Sequence, residues 1–251
     1  MGVLMQINGL TRSFALESGE QTVLKDISLT VNEGDFAVIM GASGSGKSTL
    51  LYAMSGMDKP SSGEILFQGK NIAGYSSDKL ARFRRKHCGF VFQQICLVDS
   101  LSVMDNVMTA GLLSNRNRHE VYVTAKALLH AVEVEEHTWT KLPSQISGGR
   151  AQRVGIVRAL VNHPDILFAD EPTGALNSQT GLEVLDTVTK FNRGGQTVVM
   201  VTHDMRSALR GNRVLYLKDG RILNECELGR YEGDDPDRRE KLLSFLCEMG
   251  W

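Results

Sequence analysis

Phe36-Ala37-Val38-Ile39-Met40 runs straight into Gly41-Ala42-Ser43-Gly44-Ser45-Gly46-Lys47-Ser48, and this join of a short apolar run to a glycine-rich octapeptide decides the fold. Five apolar residues bounded by glycine are too few for a helix, so they predict a buried central strand. The octapeptide fits G-x-x-x-x-G-K-[ST], and a helix is predicted from just after Gly46 to near Gly56. In that setting the glycines let backbone N–H groups converge on phosphate oxygens, and the helix N-terminus adds a favourable dipole. Lys47 is placed to meet β- and γ-phosphates, and Ser48 to offer its hydroxyl to Mg²⁺. Such a match arises by accident on the order of once in 100 chains of this length. Thr49 stands where the third glycine of Gly44-x-Gly46-x-x-Gly would be, so a dinucleotide-binding turn fails.

Outward from this join, residues 22–31 read as a strand, turned by Asn32-Glu33-Gly34-Asp35, and Ser61-Ser62-Gly63 leads into a strand over 64–68. From about 90 to 160 the chain changes to a helical period, with Val121, Ala125, Leu128, Leu129 and Val132 in phase and a helix start at Ser102 with Asp105 three residues on. This reads as a mostly helical insertion. Short apolar strands return at 166–169 and 197–201, and residues 215–223 form a hairpin on the Asp219-Gly220 turn. Leu242, Phe245, Leu246 and Met249 predict a terminal amphipathic helix from Asp237, ended by Gly250 and Trp251, which either packs on the rest of the chain or docks a partner.

Composition excludes several classes. Of 251 residues, 42% are apolar and 23% charged, which rules out wholesale disorder. Glycine (25) exceeds its usual ~7% and proline (5) falls below its usual ~5%, so the glycines have local tasks. A net charge of −1 lacks the basic excess of nucleic-acid binders; the basic cluster Arg82, Arg84, Arg85, Lys86, His87 reads as a solvated helix face. Cys88, Cys96, Cys226 and Cys247 make no metal-spaced pair and no disulfide framework, which fits a reducing cytosol. The start Met1-Gly2-Val3-Leu4-Met5-Gln6 lacks a signal or myristoylation pattern, and no apolar run approaches 18 residues, so any membrane engagement is expected through a partner.

Ile166-Leu167-Phe168-Ala169-Asp170-Glu171 sets two carboxylates at the end of a buried strand. Asp170 suits holding Mg²⁺ through water, and Glu171 suits orienting or deprotonating an attacking water. Ile146-Ser147-Gly148-Gly149-Arg150-Ala151-Gln152-Arg153, upstream of that strand, resembles the signature of ATP-binding cassette (ABC) proteins. The resemblance covers nearly the whole chain. Phe14 matches the aromatic that stacks on adenine, and Gln93 in Phe92-Gln93-Gln94 the Q-loop glutamine. Gly174-Ala175-Leu176-Asn177 matches the D-loop, and His203 in Thr202-His203-Asp204 the switch histidine. Each has an ordinary alternative: Phe14 as a core aromatic, Gln93 as a surface side chain, His203 as a strand-end histidine.

The resemblance implies an α/β fold, a P-loop cassette with a RecA-like core, an antiparallel β subdomain and a helical subdomain. Its implied boundaries are about 1–89 and 161–230 for core and β subdomain, about 90–160 for the helical part, and about 231–251 for the terminal helix. It implies ATP and Mg²⁺ as cofactors, held by Phe14, Gly41, Ser43, Gly44, Gly46, Lys47, Ser48 and Thr49. Metal contacts are implied for Ser48, Gln93 and Asp170, and catalysis for Glu171, His203 and Gln93. Ser147, which would cap a helix, with Gly148 and Gly149, would form a second anion site that closes the ATP of another copy in a head-to-tail pair. Arg150 replaces the usual signature Gln and Asn177 the commoner D-loop Asp, both near that interface and both bearing on its strength. The implied function is the ATPase subunit of a transporter. It would dimerise on ATP, drive an integral-membrane permease and sit on the cytoplasmic face of the cell membrane through that permease, with no nucleic-acid partner. Phe168-Ala169-Asp170-Glu171-Pro172-Thr173-Gly174-Ala175-Leu176 is similar to the branch of lipoprotein-releasing, macrolide-efflux and bacitracin-type peptide-resistance systems, and residues 174–178 look closest to the peptide group. A lipoprotein-releasing or cell-division-type complex and a non-transport regulatory ABC protein are the alternatives. A GTPase would need an Asn-Lys-x-Asp motif, which is absent, and a module without catalysis would be expected to lack Lys47, Glu171 or His203, all present.

Overall fold

The computed structural model describes residues 2–16, 19–233 and 235–251; Met1, which opens the stretch read above for a leader, lies outside them. In chain order the elements are β1 (Val3–Leu16), β2 (Gly19–Asn32), β3 (Phe36–Met40), α1 (Lys47–Met54), β4 (Ser62–Phe67), β5 (Lys70–Asn71), α2 (Ser77–His87), β6 (Cys88–Val91) and α3 (Val103–Leu112). There follow α4 (Arg118–Ala131), α5 (Gly148–Leu160), β7 (Ile166–Asp170), α6 (Ser178–Arg193), β8 (Thr197–Thr202), α7 (Met205–Ala208), β9 (Arg213–Lys218), β10 (Arg221–Glu227) and α8 (Pro236–Glu248). The chain divides into two compact units, one of residues up to Arg84 with Asn192–Trp251, the other Arg85–Phe191.

In the first unit, β2, β1, β4 and β5 form an antiparallel sheet in that order. β3 lies between β8 and β9, parallel to both, with β10 antiparallel on the far side of β9. Every residue of β3 and of β8 is buried, the continuous apolar reading of a strand covered on both faces. The register sets Met40 opposite Thr202, so the residues that follow each strand, Gly41 and His203, leave from the same end of neighbouring strands. The β9–β10 turn has Asp219 at φ 49° and Gly220 at φ 79°, the double positive φ of the expected Asp-Gly hairpin.

α8 packs on its own unit, burying Leu242, Phe245 and Leu246. Its anchor is Arg238, 7% exposed. The guanidinium donates to the carbonyls of Leu209 (2.8 Å), Leu228 (2.8 Å), Gly229 (3.1 Å) and Gly211 and stacks on Tyr231. Burial pulls its pKa down, yet an arginine stays charged. Arg238→Met leaves several buried carbonyls without a donor. A loss of about 3 kcal/mol is expected, read in a thermal melt as a fall of roughly 6–12 °C; a shift within about 2 °C would show the anchor to be dispensable.

In the second unit β6 pairs with β7 in parallel, Val91 opposite Ala169, and the rings of Phe90 and Phe168 stack at 5.7 Å across the pair. α3, α4 and α5 enclose a core of Val103, Val107, Met108, Val121, Ala125, Leu129, Val132, Val154 and Val157, with Leu128 partly buried against it. The helical period expected over 90–160 is realised here, although residues 88–91 are strand. Ser102 caps α3 reciprocally: its hydroxyl donates to Asp105 Oδ2 at 2.6 Å and accepts from Asp105 N–H at 3.1 Å. The basic cluster on α2 is only partly a solvated face, because Arg84 is half-buried and donates to Gly56 O at 2.5 Å, and His87 meets Asp165 at 2.6 Å.

Candidate functional site

The first unit carries the phosphate loop. Gly46 takes φ 102° at the N-cap of α1, a left-handed position that excludes other residues without strain. Among the described residues no side chain caps this end of α1, and no acid lies in its first turn. Lys47 is 6% exposed, and its ammonium donates to Gly41 O at 2.9 Å and Ala42 O at 2.8 Å. Ser43 and Gly44 are exposed at the lip, Ser48 and Thr49 half-buried behind it, and Ser45 Oγ is buried with no hydrogen-bond partner among the described residues. A helix N-terminus without a side-chain cap, a buried cation and an orphaned hydroxyl make a donor set that fits a magnesium polyphosphate.

His203 is exposed just past β8, between two fixed neighbours. Thr202 Oγ1 accepts from Asp204 N–H at 3.0 Å, and Asp204 caps α7 through Ser207 N–H at 3.1 Å and Ser207 Oγ at 2.9 Å. Burial opposes the charge on Asp204, but these hydrogen bonds and Arg206 outweigh it and hold the carboxyl below its ordinary range. Phe14 is 37% exposed, which removes the core-aromatic alternative. The Arg12 guanidinium lies 4.3 Å from its ring centroid and is itself clamped by Asp58 at 2.7 and 2.8 Å, covering one face of the ring.

The second unit carries the carboxylates. Asp170, 9% exposed, ends β7, and Glu171 follows at φ 44°, a left-handed geometry that non-glycine residues adopt only under constraint. From β6, paired beside β7, the chain leads through Phe92 to the exposed Gln93. A Cβ on Gly174 would come 2.9 Å from Gln93 Nε2, so the D-loop glycine makes room for this side chain. Asn177 Oδ1 accepts from Thr180 N–H at 3.0 Å at the start of α6; Asn and Asp cap about equally well, which accounts locally for the departure there.

Ser147 caps α5 by accepting from Arg150 N–H. Gly148 is exposed, while Gly149 is buried where a Cβ would stand 2.1 Å from Thr180 Cγ2. Ser147, Gly149 and Arg150 line a polar cleft of about 1020 Å³. Arg150 reaches its own chain's Glu135 at 2.9 Å, both side chains more than a third exposed, a pair worth little and easily released.

Four side chains escaped the sequence reading. Arg12 and Asp58 gave no signal, being distant in sequence. Arg158 donates to Cys96 O at 2.6 Å, burial pulling its pKa down. Gln152, 1% exposed, donates to Phe92 O at 3.0 Å and Pro172 O at 2.8 Å; its signal was an amide on the apolar face of α5, four residues from Ile156.

The β3–β8 pair of the first unit and the β6–β7 pair of the second thus each deliver polar residues from the carboxyl ends of their strands, where open α/β sheets bind ligands, and the class so defined is a P-loop cassette. The ABC transporter family model matches residues 24–174. The macrolide export ATP-binding/permease protein MacB of Escherichia coli is 44% identical over 223 residues, 89% of this chain and 34% of that protein. MacB of Rhodopseudomonas palustris is 40% identical over 244 residues, 95% and 37% of the two chains. The dimeric bacterial ABC transporter cassette MJ0796 superposes with a TM-score of 0.81 at 38% identity, covering 90% of this chain and all of that one; a post-hydrolysis state of MJ0796 holds ADP and Pi. The chain belongs to the ABC transporter family and is its ATP-binding, ATP-hydrolysing cassette, working with ATP and Mg²⁺. It spans about a third of the length of the curated relatives it matches. Among the described residues no helix is long and apolar enough to cross a membrane.

Proposed function

We propose that this cassette dimerises on ATP and drives an integral-membrane permease that exports an antimicrobial compound, the cassette lying on the cytoplasmic face of the membrane through that permease. The observation that carries this reading is the likeness over 89% of the chain to proteins named for macrolide export and for a joint ATP-binding and permease role. The dimeric form of MJ0796 supports the pairing of two copies. Residues 174–178 keep a peptide antimicrobial as the narrower alternative cargo.

In this reading Gly41, Ser43, Gly44, Gly46 and Lys47 hold the phosphates and Phe14 offers its uncovered face to adenine. Ser48, Thr49, Gln93 and Asp170 serve Mg²⁺ and its phosphate oxygens. Glu171 takes a proton from the attacking water, and Gln93 orients that water. His203 donates to the γ-phosphate, and Ser147, Gly148 and Gly149 close the other copy's nucleotide. Mg²⁺, when bound, neutralises charge building on the β- and γ-oxygens.

His203→Ala tests the scheme at an exposed position where folding is not at stake. Hydrolysis is expected to fall roughly 100-fold, the scale for one transition-state donor, with ADP and ATP affinities nearly unchanged. Unchanged turnover, or equal loss of ADP and ATP affinity in a titration, contradicts the assignment.

A further inference from the structure

The Gln152 amide stands on the buried face of α5, one turn beyond Gly148 and Gly149. Its single Nε2 has two hydrogens, and both are used: one on Phe92 O at 3.0 Å, the other on Pro172 O at 2.8 Å. Phe92 immediately precedes Gln93, and Pro172 immediately follows Glu171. Each carbonyl therefore belongs to the backbone that aims a water-handling side chain. The need for a clamp is visible at Glu171, whose φ of 44° must be held by its surroundings. Arg158, from the same helix, fixes the far end of the Gln93 segment through Cys96 O.

We propose that Gln152 is a positioning residue: it sets Gln93 and Glu171 relative to each other and to the α5 helix that begins at the signature serine. Any displacement of α5 when its N-terminus engages a nucleotide then reaches both side chains through one amide. This rests on the roles proposed above for Gln93, Glu171 and Ser147.

The test is steady-state MgATP hydrolysis, with MgATP affinity measured separately, for the wild-type chain, Gln152→Met, Gln152→Glu and Glu171→Gln across pH 5.5–8.5. Gln152→Met keeps the volume and removes both donors; kcat is expected to fall at least ~10-fold at every pH, with MgATP affinity and KM within about 3-fold. Gln152→Glu is isosteric. Ionised, it sets a negative charge against two carbonyl oxygens; protonated, it returns one donor. Burial raises the pKa of such a carboxyl, so kcat of this variant should recover partly as pH falls through about 6–7, a limb missing from the wild-type and Gln152→Met profiles.

Turnover of folded Gln152→Met within 2-fold of wild type overturns the proposal, as does a kcat loss matched by an equal loss of MgATP affinity. If Gln152→Glu does not fold at high pH, Gln152→Met decides. A wild-type chain that hydrolyses MgATP, and loses that activity in Glu171→Gln, while Gln152→Met retains it, sinks this inference alone; a Glu171→Gln variant with wild-type turnover sinks the site reading beneath it.

Discussion

Lys47→Ala is expected to lower MgATP affinity by roughly 100-fold or more, abolishing binding at ordinary concentrations. Lys47 is buried, with its ammonium poised on the carbonyls of Gly41 and Ala42 at the base of the loop. A polyphosphate seated there would lose its buried cationic partner in the loop, and truncating one member of a buried charge pair costs about 2–5 kcal/mol. The backbone donors of the loop and the N-terminus of α1 remain, and they cannot replace a full charge in a site shielded from water. Equilibrium titration with MgATP reads the effect, and a thermal melt without nucleotide confirms that the variant is folded. Unchanged affinity would remove the phosphate-loop assignment.

Glu171→Gln is expected to convert a mostly monomeric chain into an ATP-dependent homodimer. In the proposed pair each γ-phosphate is held by the loop of one copy and by Ser147, Gly148 and Gly149 of the other, and hydrolysis destroys that bridge. Glutamine keeps the shape of Glu171 and removes the base that activates water, so the bridge persists. It also removes one negative charge per copy, two in all, from a crowded interface. Gel filtration or light scattering with MgATP shows the dimer, and ADP serves as control. A chain that stays monomeric in saturating MgATP means that Arg150 and Asn177 have weakened the interface or that the permease must hold the copies together. Equal dimerisation with ADP contradicts the γ-phosphate mechanism itself.

Turn chemistry was legible wherever one residue type satisfies a local demand. Ser102 and Ser147 announced helix starts because a hydroxyl is needed where backbone N–H groups lack partners, and Asp219-Gly220 announced a hairpin because few residues accept positive φ. β1 was legible only as part of a strand-rich first third, without bounds of its own: its pairing with β2 shifts register between Ile7 and Leu10 and again up to Ser13, and each irregularity breaks the alternation that marks a half-buried strand. α6 was hidden for another reason. Thr187 and Thr189 occupy buried positions on it, tolerable because their hydroxyls donate back to Glu183 O at 2.9 Å and Leu185 O at 2.8 Å, and two buried threonines blur a helical period that is otherwise apolar.

By itself the sequence determined the motifs: a phosphate-loop pattern after a buried strand, two carboxylates at the end of another, and a glycine pair behind a capping serine at a helix start. Those are contiguous motifs, because a loop of a few residues can be specified only by neighbours along the chain. Only the tertiary structure decided what holds these motifs in place. The parallel registers Met40 with Thr202 and Val91 with Ala169 determine which strand ends lie side by side. The clamps of Arg12 on Asp58, and of Gln152 on Phe92 and Pro172, join residues 46, 60 and 20 positions apart. A hydrogen bond depends on separation in space, and no local pattern of side chains encodes a partner that far along the chain.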